Sequence, residues 1–242
     1  MTWSIIARDD HGRFGIAIAS RFFAVGALCA YTRRGVGAVA TQALCNPLWG
    51  PQALDRLAAR EDPQHVVNAL VEADAGHAHR QLHLIGATGE GAAHTGGECI
   101  GWCGHELFDG FSVAGNMLAG EEVLRATADA FRAHARRPFA ERLLEALAAG
   151  EAAGGDKRGK QSAALRIQGD DDRLELDLRV DDAEEPIMEL RRLYAKSFER
   201  WQPFVACLPS RHDPVGLVDR QAIEERVERF HAEHAPPGGP AA

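Results

Sequence analysis

Short apolar runs separated by turn residues fill the first part of the chain and predict a series of β-strands. Residues 2–8 are rich in β-branched and aromatic side chains, residues 9–12 are typical of a turn, and residues 13–20 alternate between apolar and small or polar positions. Residues 33–35 then separate two more apolar runs, the second ending near Ala43. The chain is therefore predicted to begin inside a β-sheet, which holds an N-terminus that would otherwise fray.

Two pairs of helices follow from a change to helical periodicity, at 51–60 with 63–74 and at 118–135 with 138–149. The remaining segments predict strands, namely a hairpin over 80–95, a short strand over 111–115, and a last hairpin made of 162–168 and 174–180. Strands and helix pairs thus alternate along the chain. This order favours an α+β fold, a four-layer αββα sandwich of two mostly antiparallel sheets.

The composition changes after residue 180, where an acidic segment ending in Pro186 is typical of a linker. We expect an αββα domain over 1–185 and a helical C-terminal extension over 186–242, with helices near 187–201 and 217–234. Residues 235–242 are predicted to be disordered. The extension is interpreted as an oligomerisation or capping element of a homo-oligomer.

Charge and cysteine content restrict the partners of the protein. Its 27 lysines and arginines against 35 acidic residues give a net charge of −8, which argues against nucleic acid and anionic membranes as main partners. The sequence shows neither an export signal nor an apolar stretch of membrane-spanning length. Five cysteines, an odd number, favour reduced thiols. We expect a cytoplasmic protein that acts on a small molecule without a cofactor.

Thr2 is the first candidate for chemistry, because removal of Met1 would leave it as a free N-terminus. An N-terminal threonine carries both a hydroxyl nucleophile and an α-amine that can accept the hydroxyl proton. The pKa of a free α-amine is about 7.7–8.0, so the neutral, basic form is available near pH 7. Met-Thr is also a very common start for proteins of every class, so the dipeptide alone does not decide the matter.

The glycine-rich segment 154–162 comes close to a phosphate-binding P-loop, with Gly154, Gly159 and Lys160 at the required spacing. Gln161 stands where the magnesium-binding hydroxyl should be, and the segment runs from a predicted helix into a strand rather than the reverse. A P-loop is therefore rejected. The segment is left as either a solvated charged turn or a second functional cluster, made of Asp156, Lys157, Arg158, Gln161 and Ser162.

Polar residues close three predicted strands. Ser20 and Arg21 end the second strand, and an arginine there must be paired, solvated or available to an anionic ligand. Thr41 and Gln42 end a later strand in the same way. Asn116 follows the predicted strand 111–115 just before a predicted helix, where an amide either caps the helix or donates to an oxyanion.

A zinc site is a weaker possibility. Cys99, Cys103 and His105 have a C-x₃-C-x-H spacing that three nearby histidines could supplement, namely His77, His79 and His83. A structural zinc site normally has two clean ligand pairs, and a second pair is missing here. We expect no metal.

Five segments together resemble the bacterial family called domain of unknown function 1028, namely TWSIIARD (2–9), ASRFFAVG (19–26), GVGAVATQ (35–42), GNMLAG (115–120) and GGDKRGKQSA (154–163). The resemblance extends to about Leu193. That family is placed among the N-terminal nucleophile (Ntn) hydrolases, which include proteasome β-subunits and several amidases. The resemblance implies an αββα sandwich with Thr2 at the position of the nucleophile.

Ser20 and Arg21 resemble the Ser-Arg pair at the end of the second strand in proteasome-type members. Those members also keep an aspartate just before the pair and a lysine further along. This chain has Ala19 at the first position and no lysine before Lys157. A cation that activates the amine would therefore have to be Arg21 or come from the 156–162 loop.

The resulting hypothesis is hydrolysis of an amide bond in a small, carboxylate-bearing molecule, with Thr2, Arg21 and Asn116 as catalytic residues. Asn116 or backbone N–H groups would hold the oxyanion. The substrate-binding residues would be those at the strand ends and in the charged loop: Ser20, Thr41, Gln42, Asp156, Lys157, Arg158, Gln161 and Ser162. Two alternatives stay open. One is a non-catalytic binding or scaffold protein on the same fold, and the other is a zinc enzyme that uses the 99–105 segment.

Overall fold

A computed structural model describes residues 2–234 of the chain. Ten strands lie in this range: β1 (Thr2–Arg8), β2 (Phe14–Ser20), β3 (Ala30–Arg33), β4 (Gly37–Ala43), β5 (Arg80–Gly86), β6 (Gly91–Thr95), β7 (Trp102–Phe108), β8 (Phe111–Leu118), β9 (Ser162–Gln168) and β10 (Leu176–Val180). The α-helices are α1 (Val25–Cys29), α2 (Trp49–Ala58), α3 (Pro63–Ala73), α4 (Glu122–Ala133), α5 (Phe139–Ala152), α6 (Pro186–Ser197), α7 (Trp201–Val205) and α8 (Arg220–Glu233).

The strands form two antiparallel sheets. One sheet has six strands in the order β10-β9-β2-β1-β8-β7, and the other has four in the order β3-β4-β5-β6. β1 lies inside the larger sheet and is paired along its length with both β2 and β8. The first described residue of the chain is therefore held on both sides.

Each sheet carries a helix pair on its outer face. Helices α4 and α5 pack on the six-stranded sheet, α2 and α3 pack on the four-stranded sheet, and the inner faces of the two sheets meet. At Gly150 of α5, an added Cβ would lie 2.7 Å from the Trp3 indole nitrogen, so only glycine lets this helix approach β1 so closely. The predicted α+β fold, an αββα sandwich, is confirmed.

Local signals explain where most elements begin. Asp62 caps α3 by accepting hydrogen bonds from the backbone N–H groups of Gln64 and His65, and Pro63 occupies the first helical position. The outward face of the smaller sheet and its helices share one apolar cluster that includes Val39, Trp49, Leu54, Val66 and Leu82. These residues alternate along the strands and recur every three to four residues along the helices.

Two elements of the sandwich were missed, and the end of one predicted strand was wrong. Strand β7 and the five-residue helix α1 were not predicted, and β8 continues to Leu118 instead of ending at Gly115. Leu118 pairs with Trp102 of β7, and helix α4 begins only at Glu122. Asn116 consequently lies within a strand, and the alternative that its side chain caps the helix is excluded.

The chain divides into two compact units, with the boundary between Ile187 and Met188. The helix predicted over 187–201 corresponds to α6, which ends at Ser197, and the short helix α7 was not predicted. Helix α8 corresponds to the helix predicted over 217–234. The Arg200 guanidinium forms a salt bridge with Glu224 of α8. The predicted disorder of 235–242 lies outside the described residues. Within 2–234, no helix is both long enough and apolar enough to span a membrane.

Candidate active site

Thr2 lies at the end of the space between the two sheets. Its Cα is opposite Ser20 on one side and opposite Asn116 on the other. Two residues further along β1, the Ser4 hydroxyl reaches the second sheet, and residues i and i+2 of a strand face the same way. The Thr2 hydroxyl therefore faces the inter-sheet space, where its oxygen lies 3.1 Å from the Ser20 hydroxyl oxygen. The residue is 5% exposed.

Gln81 of β5 is the centre of a buried hydrogen-bond network next to Thr2. Its Nε2 donates to the backbone carbonyls of Gly104 (3.0 Å) and Gly115 (2.8 Å). Its Oε1 accepts from Gln42 Nε2 (2.8 Å) and Asn116 Nδ2 (3.0 Å). Because a carbonyl can only accept, these two backbone groups fix the orientation of the Gln81 amide and make its neighbours donors.

The network continues from Gln42 to His83. Ser4 donates to Gln42 Oε1 (2.9 Å), so its oxygen accepts from His83 Nε2 (2.8 Å), and His83 Nδ1 accepts from the Ser112 hydroxyl (2.8 Å). This assigns the proton of the neutral imidazole to Nε2. Burial lowers the pKa of His83 to about 3, with a smaller contribution from the charge of His105. His83 is therefore uncharged at neutral pH.

Gln81 was not predicted as a site residue, and His83 was considered only as a supplementary ligand of the zinc alternative. Both lie in the predicted 80–95 hairpin, in strict alternation with Leu82 and Leu84. Such alternation normally indicates one buried face and one solvated face. Here both faces are buried, the leucines against the helices and the polar residues against the other sheet. Only the pairing of the two sheets reveals this.

Asn116 contacts Thr2 directly. Its Nδ2 lies 3.5 Å from the Thr2 backbone oxygen and 3.0 Å from Gln81 Oε1, so both N–H bonds of the amide are directed at protein acceptors. Gln42 joins the same group through Gln81 and Ser4. Four predicted residues thus converge at one place, namely Thr2, Ser20, Gln42 and Asn116.

The charged loop is organised around Asp156, whose side chain is fully buried. Its carboxylate accepts from the backbone N–H groups of Arg21 (3.0 Å) and Arg158 (2.7 Å). Each arginine also directs a guanidinium nitrogen at the other's backbone oxygen, at 3.4 Å. Asp156 therefore holds two exposed cations side by side where β2 ends. Lys157 is exposed in the same loop.

The remaining predicted residues have structural partners. Ser162 donates to Phe22 O (2.5 Å) and accepts from Val25 N (3.1 Å), which fastens the start of α1 to β9. Gln161 donates to the Asp182 carboxylate (3.0 Å). Thr41 donates to Asn46 O (3.2 Å) and lies on the opposite face of β4 from Gln42.

The sequence profile of a family of unknown function, DUF1028, matches residues 2–190. The chain belongs to the DUF1028 family. A crystal structure of a DUF1028 protein from Silicibacter pomeroyi is similar, with 33% identity and a TM-score of 0.83 over 90% of this chain and 99% of that one. Anbu (ancestral beta-subunit) from Yersinia bercovieri aligns with 13% identity and a TM-score of 0.41, over 81% of this chain and 94% of that one. No curated protein matches.

Strained backbone marks the same edge of this DUF1028 chain. Ala24, Ala43 and Met117 have φ angles of 53°, 68° and 54°, and each lies where a strand or its following loop ends near Thr2. The left-handed region costs a residue with a Cβ about 1–2 kcal/mol. Among residues 2–234, Arg60 is the other non-glycine with positive φ. Such strain concentrates at functional sites, so this edge is the best candidate site of the DUF1028 fold.

The residues of the zinc alternative have other partners. The Cys99 thiol donates to Arg80 O, the Cys103 thiol donates to Cys99 O, and His105 Nδ1 lies 2.8 Å from the Thr95 hydroxyl. Nowhere in residues 2–234 do three or more histidine, cysteine or acidic side chains form a group that could hold a metal ion.

Proposed function

We propose that the protein is an amidohydrolase in which Thr2, freed by removal of Met1, is the nucleophile. The observation that carries this proposal is the position of the Thr2 hydroxyl. It lies on a strand paired on both sides, faces the inter-sheet space and is 3.1 Å from the Ser20 hydroxyl. A nucleophile must be held in a fixed position relative to the bond that it attacks, and the two strand pairings hold Thr2 in this way. The substrate is a small molecule with a scissile C–N amide bond.

In the proposed reaction, the Thr2 hydroxyl oxygen attacks the amide carbon while its proton passes to the Thr2 α-amine. The C–N bond then breaks, the amine returns the proton to the leaving nitrogen, and an acyl ester remains on Thr2. Water attacks the ester and releases the acid. The low exposure of Thr2 favours the neutral amine that the first step requires.

Neighbouring groups have supporting roles in this proposal. Ser20 orients the Thr2 hydroxyl through their contact. Both N–H bonds of Asn116 are already directed at Gln81 and Thr2, so backbone N–H groups at the strand ends become the main oxyanion donors and Asn116 positions Thr2. Arg21 and Arg158, held together by Asp156, bind a carboxylate of the substrate.

The test compares the same protein before and after its Thr2 α-amine is freed. A ubiquitin-like domain is fused directly before Thr2, and its protease is used to release a chain that begins at Thr2. With N-acyl 4-nitroanilides as probes, we expect hydrolysis after release and none before it. Thr2→Ser should keep part of the activity, whereas Thr2→Ala should lose at least about 1000-fold. Equal rates before and after release would refute the mechanism.

A binding protein on the same fold is the second candidate. It is favoured by one observation: within residues 2–234, the hydrogen-bond partner of the Thr2 hydroxyl is the uncharged Ser20 side chain, and no lysine or arginine donates to it. Intact mass spectrometry of the untagged protein distinguishes the two at the first step. A mass lower by one methionine favours the hydrolase, and retention of Met1 favours the binding protein.

A further inference from the structure

Exposed apolar side chains are concentrated at the edge of the sandwich that holds Thr2. The described part of the first unit has six exposed large hydrophobic side chains, and the five with the highest exposure are Phe22, Phe23, Leu44, Leu48 and Ile100. Their exposures range from 52% for Phe22 to 68% for Ile100. The sixth, Leu107, lies on β7. We call the group of five the apolar rim.

Hydrogen bonds place the three loops of the rim around Thr2. Phe22 O accepts from Ser162, which is paired with Ser20, the register partner of Thr2. Ile100 O accepts from the backbone N–H of Met117 (3.0 Å), the residue after Asn116. Leu44 follows β4 two residues after Gln42, and its backbone is bonded to His79 and Arg80. The rim therefore surrounds the candidate nucleophile on both sheets.

Backbone strain accompanies each loop of the rim. Ala24 follows Phe23 directly, Ala43 precedes Leu44 directly, and Met117 is bonded to Ile100. Positions with positive φ are normally occupied by glycine, which removes the steric cost. At all three places a residue with a Cβ has positive φ, next to a loop that exposes an apolar side chain. Strained backbone next to exposed apolar side chains is typical of a ligand-binding surface.

The charge beside the rim indicates what that ligand is. Arg21 and Arg158 are exposed next to Phe22, and Asp156 fixes their backbones. The Asp156 carboxylate also lies 3.5 Å from one guanidinium nitrogen of Arg158, whose side chain remains 46% exposed. A ligand that satisfies both features has an apolar group for the rim and a carboxylate for the arginines. A small amphiphilic molecule meets this description, whereas a purely polar metabolite leaves the rim in water.

We infer that the substrate is an N-acyl compound with an apolar acyl chain and a carboxylate near the scissile amide. This inference rests on the proposed function, since it names the class of amide that Thr2 would cleave. The acyl chain covers the rim, and the carboxylate lies at Arg21 and Arg158. Hydrolysis then releases an apolar carboxylic acid and an amine that carries the carboxylate.

Four chromogenic anilides test the inference. They combine an acetyl or a hexanoyl group with 4-nitroaniline or 5-amino-2-nitrobenzoate, which adds the carboxylate. Burial of only two further methylenes suffices for about tenfold in kcat/KM, so the hexanoyl carboxylate should exceed the acetyl carboxylate by at least that factor. Phe23→Ser and Leu44→Ser should reduce this ratio, and Leu107→Ser, the matched exposed residue outside the rim, should not. Arg158→Gln should reduce only the preference for the carboxylate.

Binding to the Thr2→Ala protein separates this inference from the proposed function. The probe is 8-anilinonaphthalene-1-sulfonate, an apolar anion, displaced by decanoate. If the rim variants weaken binding of this probe, and no form of the protein hydrolyses the anilides, the apolar anionic ligand class is supported and hydrolysis is refuted. Turnover with an acyl ratio unchanged by the rim variants would overturn the inference and keep hydrolysis. A change in sedimentation mass caused by Phe23→Ser, with unchanged selectivity, would also overturn it and assign the rim to contact between copies of the chain.

Discussion

The buried network below Thr2 and the loops around Thr2 are built on opposite principles. The network, from Ser112 through His83, Ser4 and Gln42 to Gln81, is uncharged and fully enclosed between two sheets. The loops contain exposed arginines, exposed apolar side chains and strained backbone. Orientation is fixed in the first region by strand register and in the second by a few buried anchors such as Asp156. The difference separates the residues that hold Thr2 in place from the residues that, under the proposed function, would select a substrate.

Replacing the centre of the network should have the largest effect on stability. Gln81→Leu leaves two backbone carbonyls and the amides of Gln42 and Asn116 without their partner. Each such group costs about 1–3 kcal/mol, so we expect a loss of about 4 kcal/mol or more in urea unfolding. Gln161→Leu makes the same change in the loop, where one partner is lost at the surface, and should cost about 0.5 kcal/mol. Similar losses for both would contradict the comparison.

The network should also make stability depend on pH through His83. The pKa of His83 is about 3 in the folded protein and 6.5 in its reference state. Above pH 6.5 both states are neutral. Between pH 6.5 and pH 3, only the unfolded chain takes up the proton. As the pH falls through this range, the unfolding free energy should therefore decrease by up to about 1.4 kcal/mol per pH unit. Urea unfolding at several pH values measures this slope.

His83→Gln supplies the comparison for that measurement. It should be less stable than the parent protein at pH 7, because Ser4 and Ser112 lose the imidazole between them. The difference should shrink as the pH falls. His11→Gln, at an exposed turn, should leave the slope unchanged. A slope that survives His83→Gln would assign the titration to another group.

In the loops, replacement of Asp156 should reduce stability less than replacement of Gln81, and the effect should be confined to the loop. Asp156→Asn replaces one of two accepting oxygens by a donor, which then faces the N–H of Arg21 or Arg158. We expect a cost of about 1–3 kcal/mol, seen as faster amide hydrogen exchange over 153–161 rather than over β1. Asp182→Asn, at an exposed position, is the matched control. Uniformly faster exchange in both regions would show that the loop and the network are not separate.

The smallest effect on stability is expected from chemical modification of Cys45, in the loop after β4. The hydrogen bond from the Cys29 thiol, aided by the charge of Arg80, lowers the pKa of Cys45 to about 7, whereas the same contact and burial raise the pKa of Cys29. Iodoacetamide should therefore modify Cys45 with a pH midpoint near 7, without loss of stability. Cys29→Ala should move the midpoint to about 8.5. Peptide mass spectrometry measures both. Faster modification of Cys29 would contradict the assignment.

Sequence patterns predicted the parts of the fold that local order determines. The strand at residues 2–8, the two hairpins at 80–95 and 162–180 and the two helix pairs all follow from periodicity and turn residues. Strand β7 did not, because Gly101 directly precedes it, Gly104 interrupts its pattern, and none of its seven residues is fully buried. It is a strand because β8 offers it a partner, and that pairing is not local.

The candidate site was predictable to a similar degree. Thr2 was found because it follows Met1, and Ser20 and Asn116 were found because they stand at or near strand ends, where functional side chains are common. The strand register then brings the three residues together. Gln81 and His83 were missed because a polar residue on one face of a strand looks the same whether it faces water or a second sheet. Thr41 and Gln42 are adjacent in sequence, yet their side chains lie on opposite faces of β4, and one residue of offset decides which of them reaches the site.

The carbonyl groups of Gly104 and Gly115 have a consequence for proton movement. They hold the Gln81 amide in one orientation, and through it they fix the amide of Gln42 and the tautomer of His83. A proton wire needs links that can both take up and release a proton, and a carboxamide does neither near neutral pH. Gln42 and Gln81 therefore insulate Thr2 from His83. In the proposed reaction, the proton that leaves the Thr2 hydroxyl would therefore not pass to His83 through these two amides.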